Sequence, residues 1–407
     1  MQLKYLLSLI FLIFVCPNFA FASAIESDIA AFNLITNYKL LFLGGVFVIL
    51  MQAGFAVVEG GYENTKKSVY ALIVNYISAI LGTLFFSLVC SKIFHADVVD
   101  SVNYLSAMLR GWHWNLLFFY MLMATTITTV VGRVIPNRTS LWVNWIVGFM
   151  IAGVIFPFFS SWVWGNIAFG GGWLKALGFI DFAGSTVVHS TAAWIVLAGY
   201  FTSKSNDKQE ISKKDLIFED YKILSLALAG FILWLAWSGL NIVYISTYRI
   251  DIGLIVVNAF AALFGAMLAS WALTLLMNNK IISWAELIKA ALGGLVAITA
   301  SCGLVGFSSA LIIGLVSGAL TNYLPHLLIR WIASKHIREV VVVHGICGIW
   351  GTLAVSLSNN PNIQLTHRAS VLDQIMGIGV NFIWSFGVAF LVFKLICSIN
   401  SRFKAQI

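Results

Sequence analysis

Thr186-Val187-Val188-His189-Ser190 and Val341-Val342-Val343-His344-Gly345 repeat one pattern: apolar β-branched residues, a histidine, then a small residue. Each histidine is followed within six residues by a tryptophan, Trp194 and Trp350. Each segment also opens an apolar run long enough for a membrane helix, which needs about 20 residues. Working outward from these two, apolar spans fall at about 37–58, 68–92, 114–136, 140–160, 184–203, 222–243, 252–277, 285–303, 305–329, 338–357 and 371–397. The histidines then open the fifth and tenth spans. Two five-span halves of opposite topology, with an eleventh span added, place matched residues at the half-to-half interface where polytopic carriers build their sites. The expected fold is an all-α polytopic membrane protein with eleven transmembrane helices in an inverted 5+5 repeat plus one helix.

Composition agrees. The 407 residues are 60% hydrophobic and 10% charged, with a mean hydropathy of +0.93, whereas soluble domains carry about 25% charged residues. The net charge of +8 has a topological origin. Lysines and arginines favour the loops after odd-numbered spans, such as Lys66, Lys67, Lys213 and Lys214, by about three to one over the opposite loops, which orients the chain with its N-terminus outside and its C-terminus inside. Nucleic-acid binding is excluded, since no basic face carries the stacking aromatics it needs.

The first residues have their own pattern: Lys4, an apolar run from Tyr5 to Val15, Pro17 and then Ala20-Phe21-Ala22. Residues 1–24 read as a signal peptide, 25–400 as one transport domain and 401–407 as a short cytoplasmic tail. The alternative is a first helix that stays attached; the shortness of the run and its small-residue cleavage site favour removal. Cys90, Cys302, Cys347 and Cys397 sit in apolar stretches without metal-ligand spacing and are expected to be free buried thiols. No carboxylate lies deep in a span: Glu59, Asp181, Glu286, Glu339 and Asp373 fall near span ends. Buried carboxylates usually mark coupling-ion sites, so ordinary proton or sodium coupling is disfavoured.

A lone histidine in a span is most often a packing residue. Two at equivalent repeat positions shift the reading to a functional pair. Neutral imidazoles can hydrogen-bond one another, one nitrogen donating and one accepting, and such a pair handles a proton or a small polar molecule without storing a charge in the membrane. Two imidazoles without carboxylates or thiolates underfill a metal coordination shell. No metal or cofactor is expected, and no HExxH, nucleophile elbow or phosphate loop suggests an enzyme.

The stretch Gly178-Phe179-Ile180-Asp181-Phe182-Ala183-Gly184-Ser185-Thr186-Val187-Val188-His189, with Trp162-Val163-Trp164-Gly165 before it, resembles the signature of the ammonium transporter (Amt/Mep/Rh) family, nearest its bacterial branch. Met51-Gln52-Ala53-Gly54-Phe55-Ala56, the run Gly293 to Cys302 and Val343-His344-Gly345-Ile346-Cys347-Gly348-Ile349-Trp350-Gly351 support the resemblance along the mature chain. The resemblance implies three identical subunits in a bacterial inner membrane, each with its own pore. It implies that ammonium is held at the outer mouth, loses its proton, and passes as ammonia through an apolar lumen lined by His189 and His344. By the same resemblance Trp164 is the outer tryptophan, holding a cation over its ring, and Asp181 is the acid that organises the outer site structurally.

Departures from the family pattern are equally specific. Met123 and Leu240 stand at two gate positions where the family has phenylalanines, and Tyr244 replaces a serine that usually contacts ammonium. Arg133 replaces a glycine, and the run Lys335 to Glu339 keeps one of three acids. Residues 166–170 lengthen an outer loop. The sequence stops at Ile407, about where the family's regulatory tail begins, so tail coupling and a PII-type regulator are not expected. The leading reading is an ammonium/ammonia transporter. The alternative is a non-conducting ammonium sensor or partner subunit of the same fold.

Overall fold

The structure, a computed structural model, describes residues 38–62, 73–74, 76–85, 114–132, 141–164, 172–203, 220–242, 251–278, 283–357 and 369–399. These residues are helical or in short connections, with no β-strand among them. The expected signal peptide (1–24) and tail (401–407), together with Tyr244, Cys90, Arg133 and residues 166–170, lie outside the described residues.

We label the helices α1 (Tyr38–Tyr62), α2 (Tyr76–Phe85), α3 (Trp114–Gly132), α4 (Leu141–Met150, Ile151–Ile155 and Phe156–Trp164), α5 (Ser185–Ser190 and Thr191–Ser203) and α6 (Asp220–Ile242). They continue with α7 (Ile252–Asn278), α8 (Trp284–Ile298), α9 (Phe307–Leu327), α10 (Lys335–Val340, Val341–Ile346 and Cys347–Leu357) and α11 (Val371–Ile399). A short helix, Trp173–Ala176, stands between α4 and α5. Among the described residues, five stretches are long and apolar enough to cross a bilayer: Trp142–Trp164, Ile252–Met277, Phe307–Arg330, Lys335–Leu357 and Val371–Ile399. The 26 residues of Ile252–Met277 extend about 39 Å at 1.5 Å per residue, more than the roughly 30 Å hydrocarbon core.

The outward faces of these helices are apolar. Val257, Phe260, Phe264, Leu268 and Trp271 stand exposed along α7, and Leu372, Ile375, Ile383 and Leu395 along α11. A continuous apolar surface of that kind is unfavourable in water and is the surface a bilayer solvates.

Three of the expected spans are not uniform α-helix. Ile151–Ile155, Ser185–Ser190 and Val341–Ile346 are π-turns, one residue wider than an α-turn. Hydropathy cannot register that insertion. The eighth span also ends earlier than its apolar run, at Ile298 rather than near 303. The chain then turns through Thr299–Val305, where irregular backbone is satisfied by polar partners: Asn258 Nδ2 donates to the carbonyls of Cys302 and Val305 at 2.7 and 2.8 Å. Phe182 and Ala183 N–H donate to Ala300 and Thr299 carbonyls. Such pairing is what allows non-helical backbone at membrane depth.

Small residues set the closest helix crossings. A Cβ on Gly314 or Gly318 of α9 would meet the backbone of Ala262 or Ala266 on α7, so these helices touch backbone to backbone. Cys302 and Cys347 are free, buried thiols, and Cys397 is buried with its Sγ 3.8 Å from the Thr202 carbonyl.

Candidate functional site

The site begins in the loop before α5. Gly184 has φ +112°, left-handed geometry that glycine adopts without steric cost, and this turn swings the chain from the Asp181 loop into the π-turn. The Asp181 side chain then reaches the start of the helix. Its Oδ1 accepts from the N–H groups of Gly184 and Ser185, both at 2.9 Å, and its Oδ2 from Thr186 and Val187 at 2.7 and 2.8 Å. One buried carboxylate thereby satisfies four backbone donors that open the helix and places its charge at the positive end of the helix dipole.

The Asp181 backbone ties this cap to the tryptophan of the same motif, since Trp164 Nε1 donates to the Asp181 carbonyl at 2.7 Å. The Trp164 ring stands edge-on to Tyr120, 6.4 Å between centroids. Behind the loop, Gln374 of α11 grips the residue before Asp181. Its Oε1 accepts from Ile180 N–H at 2.9 Å, and its Nε2 donates to Ile180 and Thr352 carbonyls at 2.7 and 2.9 Å.

The two repeat segments meet directly. Ser190 Oγ donates to the Gly345 carbonyl at 3.3 Å, and the hydroxyls of Thr186 and Thr352 lie 2.6 Å apart. A Cβ on Gly348 would fall 2.5 Å from the Ser185 carbonyl oxygen. At this crossing His189 Nδ1 lies 3.1 Å from His344 Nδ1, with the rings inclined by 21° and both side chains buried. Both histidines sit within π-turns, a feature that recurs at functional positions in helices.

A third ring completes the arrangement. The Trp237 indole of α6 stacks on His189 at 4.8 Å and 14°. Its Nε1 donates to Thr299 Oγ1 at 2.7 Å, and that hydroxyl donates to the Leu295 carbonyl at 2.6 Å. The Phe55 ring meets Trp237 edge-on at 6.4 Å.

The chemistry follows from hydrogen counting. An Nδ1···Nδ1 bond requires one ring to donate and the other to accept. The donor ring keeps a lone pair on Nε2, and the acceptor ring carries its hydrogen there. The pair therefore presents one acceptor and one donor while remaining uncharged.

Of the residues singled out from sequence, the structure joins His189 with His344 and Trp164 with Asp181. Met123 on α3 and Leu240 on α6 are buried, Leu240 three residues beyond Trp237. Trp237, Thr299 and Gln374 were not identified from sequence as site residues. The signal for Gln374 was a polar side chain inside an apolar span; for the Trp237 stack there was none, since it depends on how α6 packs.

Residues 39–405 match the Ammonium Transporter Family. The chain is 33% identical over 379 residues to a putative ammonium transporter of Synechocystis, covering 89% of this chain and 69% of that protein. It is 28% identical to the ammonium transporter Amt2 of Archaeoglobus fulgidus, covering 86% and 80%. Among solved structures it resembles a Sensor Amt Protein at 26% identity and a TM-score of 0.72, covering 92% and 95%. The Mep2 structure of Candida albicans, at 19% identity and a TM-score of 0.72 with 91% and 86% covered, shares the fold. The chain is an integral multi-pass membrane protein and belongs to the ammonium transporter family.

Proposed function

We propose that the protein is a bacterial inner-membrane ammonium transporter that takes ammonium at the outer mouth, leaves its proton to the water there and conducts ammonia past His189 and His344. The observation that carries this reading is the 3.1 Å contact between the Nδ1 atoms of two buried histidines. An intact cation crossing roughly 30 Å of hydrocarbon-lined pore is strongly disfavoured. Ammonia costs little to admit and can exchange hydrogen bonds with the pair, donating to one Nε2 and accepting from the other. Potassium is rejected because it has no proton to leave behind.

In this reading the chain has eleven spans, the N-terminus outside after removal of residues 1–24, and three identical subunits each with a pore. Trp164 recruits the cation by its ring face, an attraction worth about 0.5 to 2 kcal/mol. Tyr244 contributes a ring and a hydroxyl at the same mouth. Asp181 acts as the structural acid, and Met123 and Leu240 occupy the gate. The partners are ammonium and ammonia, the bilayer and the other subunits.

The test is flux of ammonium or methylammonium in proteoliposomes for the natural protein and for His189→Ala and His344→Ala. Equal flux from all three and from empty vesicles would sink the transport reading.

A second reading, an ammonium sensor that does not conduct, draws on the replaced gate positions and on the likeness to a Sensor Amt Protein. Met123→Phe with Leu240→Phe separates the two. Flux that appears only in the restored protein favours the sensor; flux in the natural protein favours the transporter.

A further inference from the structure

Among the described residues, the buried asparagines donate through their amides, with one exception. Asn258 donates to two carbonyls, and Asn381 to Thr191 Oγ1 at 2.7 Å. Asn241, near the C-terminal end of α6, is 0% exposed, and neither its Nδ2 nor its Oδ1 has a hydrogen-bond partner. Among the described residues it is the one amide side chain with both atoms buried and unpaired. Buried polar side chains are nearly always paired. An asparagine at a helix end has backbone groups within easy reach, so this vacancy is not for want of local partners.

Its position relates it to the site. Asn241 follows Trp237 by four residues, one helical turn on the same face. Helical Cα–Cβ bonds tilt towards the N-terminus, so the amide leans back over the turn that carries the indole stacked on His189. In the same turn the Trp237 indole N–H is spent on Thr299 Oγ1 and the Ser238 hydroxyl on the Trp234 carbonyl, and Leu240 is apolar and buried, leaving the amide as the unpaired hydrogen-bonding side chain of that turn.

We propose that the Asn241 amide is a docking group for ammonium and ammonia, one turn beyond the Trp237–His189 stack. Its Oδ1 accepts an N–H from ammonium; its Nδ2 donates to the lone pair of ammonia once the proton has left. One side chain thereby serves both forms of the substrate on either side of deprotonation. This assignment rests on ammonium being the ligand, and it gives the outer half of the path a polar contact that Met123 and Leu240 cannot supply.

The test compares the natural protein with Asn241→Leu and Asn241→Asp in detergent and in proteoliposomes. Thermal unfolding is measured in ammonium chloride against potassium chloride, then flux against ammonium concentration. Replacing an unpaired buried amide with an apolar group of similar shape is expected to leave the melting temperature in potassium chloride unchanged or raised. Ammonium-specific protection should be lost, and the KM for ammonium should rise about tenfold, the equivalent of one hydrogen bond of roughly 1.4 kcal/mol. Asn241→Asp, which keeps the acceptor, should retain the protection. A lower melting temperature for Asn241→Leu with ammonium protection intact would assign Asn241 to packing and overturn the proposal. So would equal protection by ammonium and potassium in the natural protein, the outcome expected of a water site. If ammonium protects the natural protein and not Asn241→Leu while neither conducts, the docking site stands and the transport reading falls.

Discussion

His189 and His344 share a single hydrogen between their Nδ1 atoms, which lie 3.1 Å apart. They therefore form one chemical unit, and substitutions that break it should not add. His189→Ala and His344→Ala are each expected to reduce ammonium flux by about an order of magnitude or more, with the double variant little worse than either single one, as for residues that act together. A double-mutant cycle on proteoliposome flux checks this. Multiplicative losses would show that the two rings work separately.

Trp237 holds His189 by its face and is itself held by Thr299. Trp237→Phe keeps a ring for stacking and gives up one hydrogen bond, worth about 1 kcal/mol. Trp237→Ala loses the ring as well, at about 3 to 5 kcal/mol for a large buried aromatic. The first variant should retain most of its flux and melt slightly earlier. The second should melt much earlier and lose selectivity for ammonium over potassium, measured by competition.

Asp181 accepts four backbone N–H groups, and an asparagine cannot. Its NH₂ would face two of those donors with a donor of its own. Asp181→Asn is expected to cost about 3 kcal/mol, the upper end for a hydrogen bond to a charged group. Because Trp164 is bonded to the Asp181 carbonyl, its fluorescence should shift in the same variant. A melting temperature and a spectrum matching the natural protein would show that the cap is dispensable.

How much of this was legible in the sequence varies with the range of the interaction. The run from 252 was expected to end near 277 and the last span to lie at 371–397; the helices are Ile252–Asn278 and Val371–Ile399, because a long apolar run bounded by charge specifies a span locally. The histidine pair was legible because the repeat carries it in two copies. The π-turns were not, since one extra residue per turn leaves hydropathy unchanged. Nor was the Trp237 stack, which exists only once α6 lies against α5. Asp181 was placed near a span end, but its four-fold cap depends on the turn at Gly184.

Glycines offer the last and most local prediction. On α10 a Cβ at Gly351 would collide with the Ala297 carbonyl of α8, whereas on α11 a Cβ at Gly387 meets nothing within 4 Å. Both positions are helical, so alanine is intrinsically favoured at each by up to about 1 kcal/mol. At Gly387 that preference acts unopposed, and Gly387→Ala should leave flux unchanged and raise the melting temperature slightly. At Gly351 backbone cannot yield as a flexible side chain does, and overpacking of this kind costs about 1 to 3 kcal/mol. The collision would also push α10 away from α8, and with it His344, seven residues along the helix. Gly351→Ala should therefore lower both melting temperature and flux. Equal behaviour of the two variants would mean that α8 and α10 do not cross as closely as this structure has them.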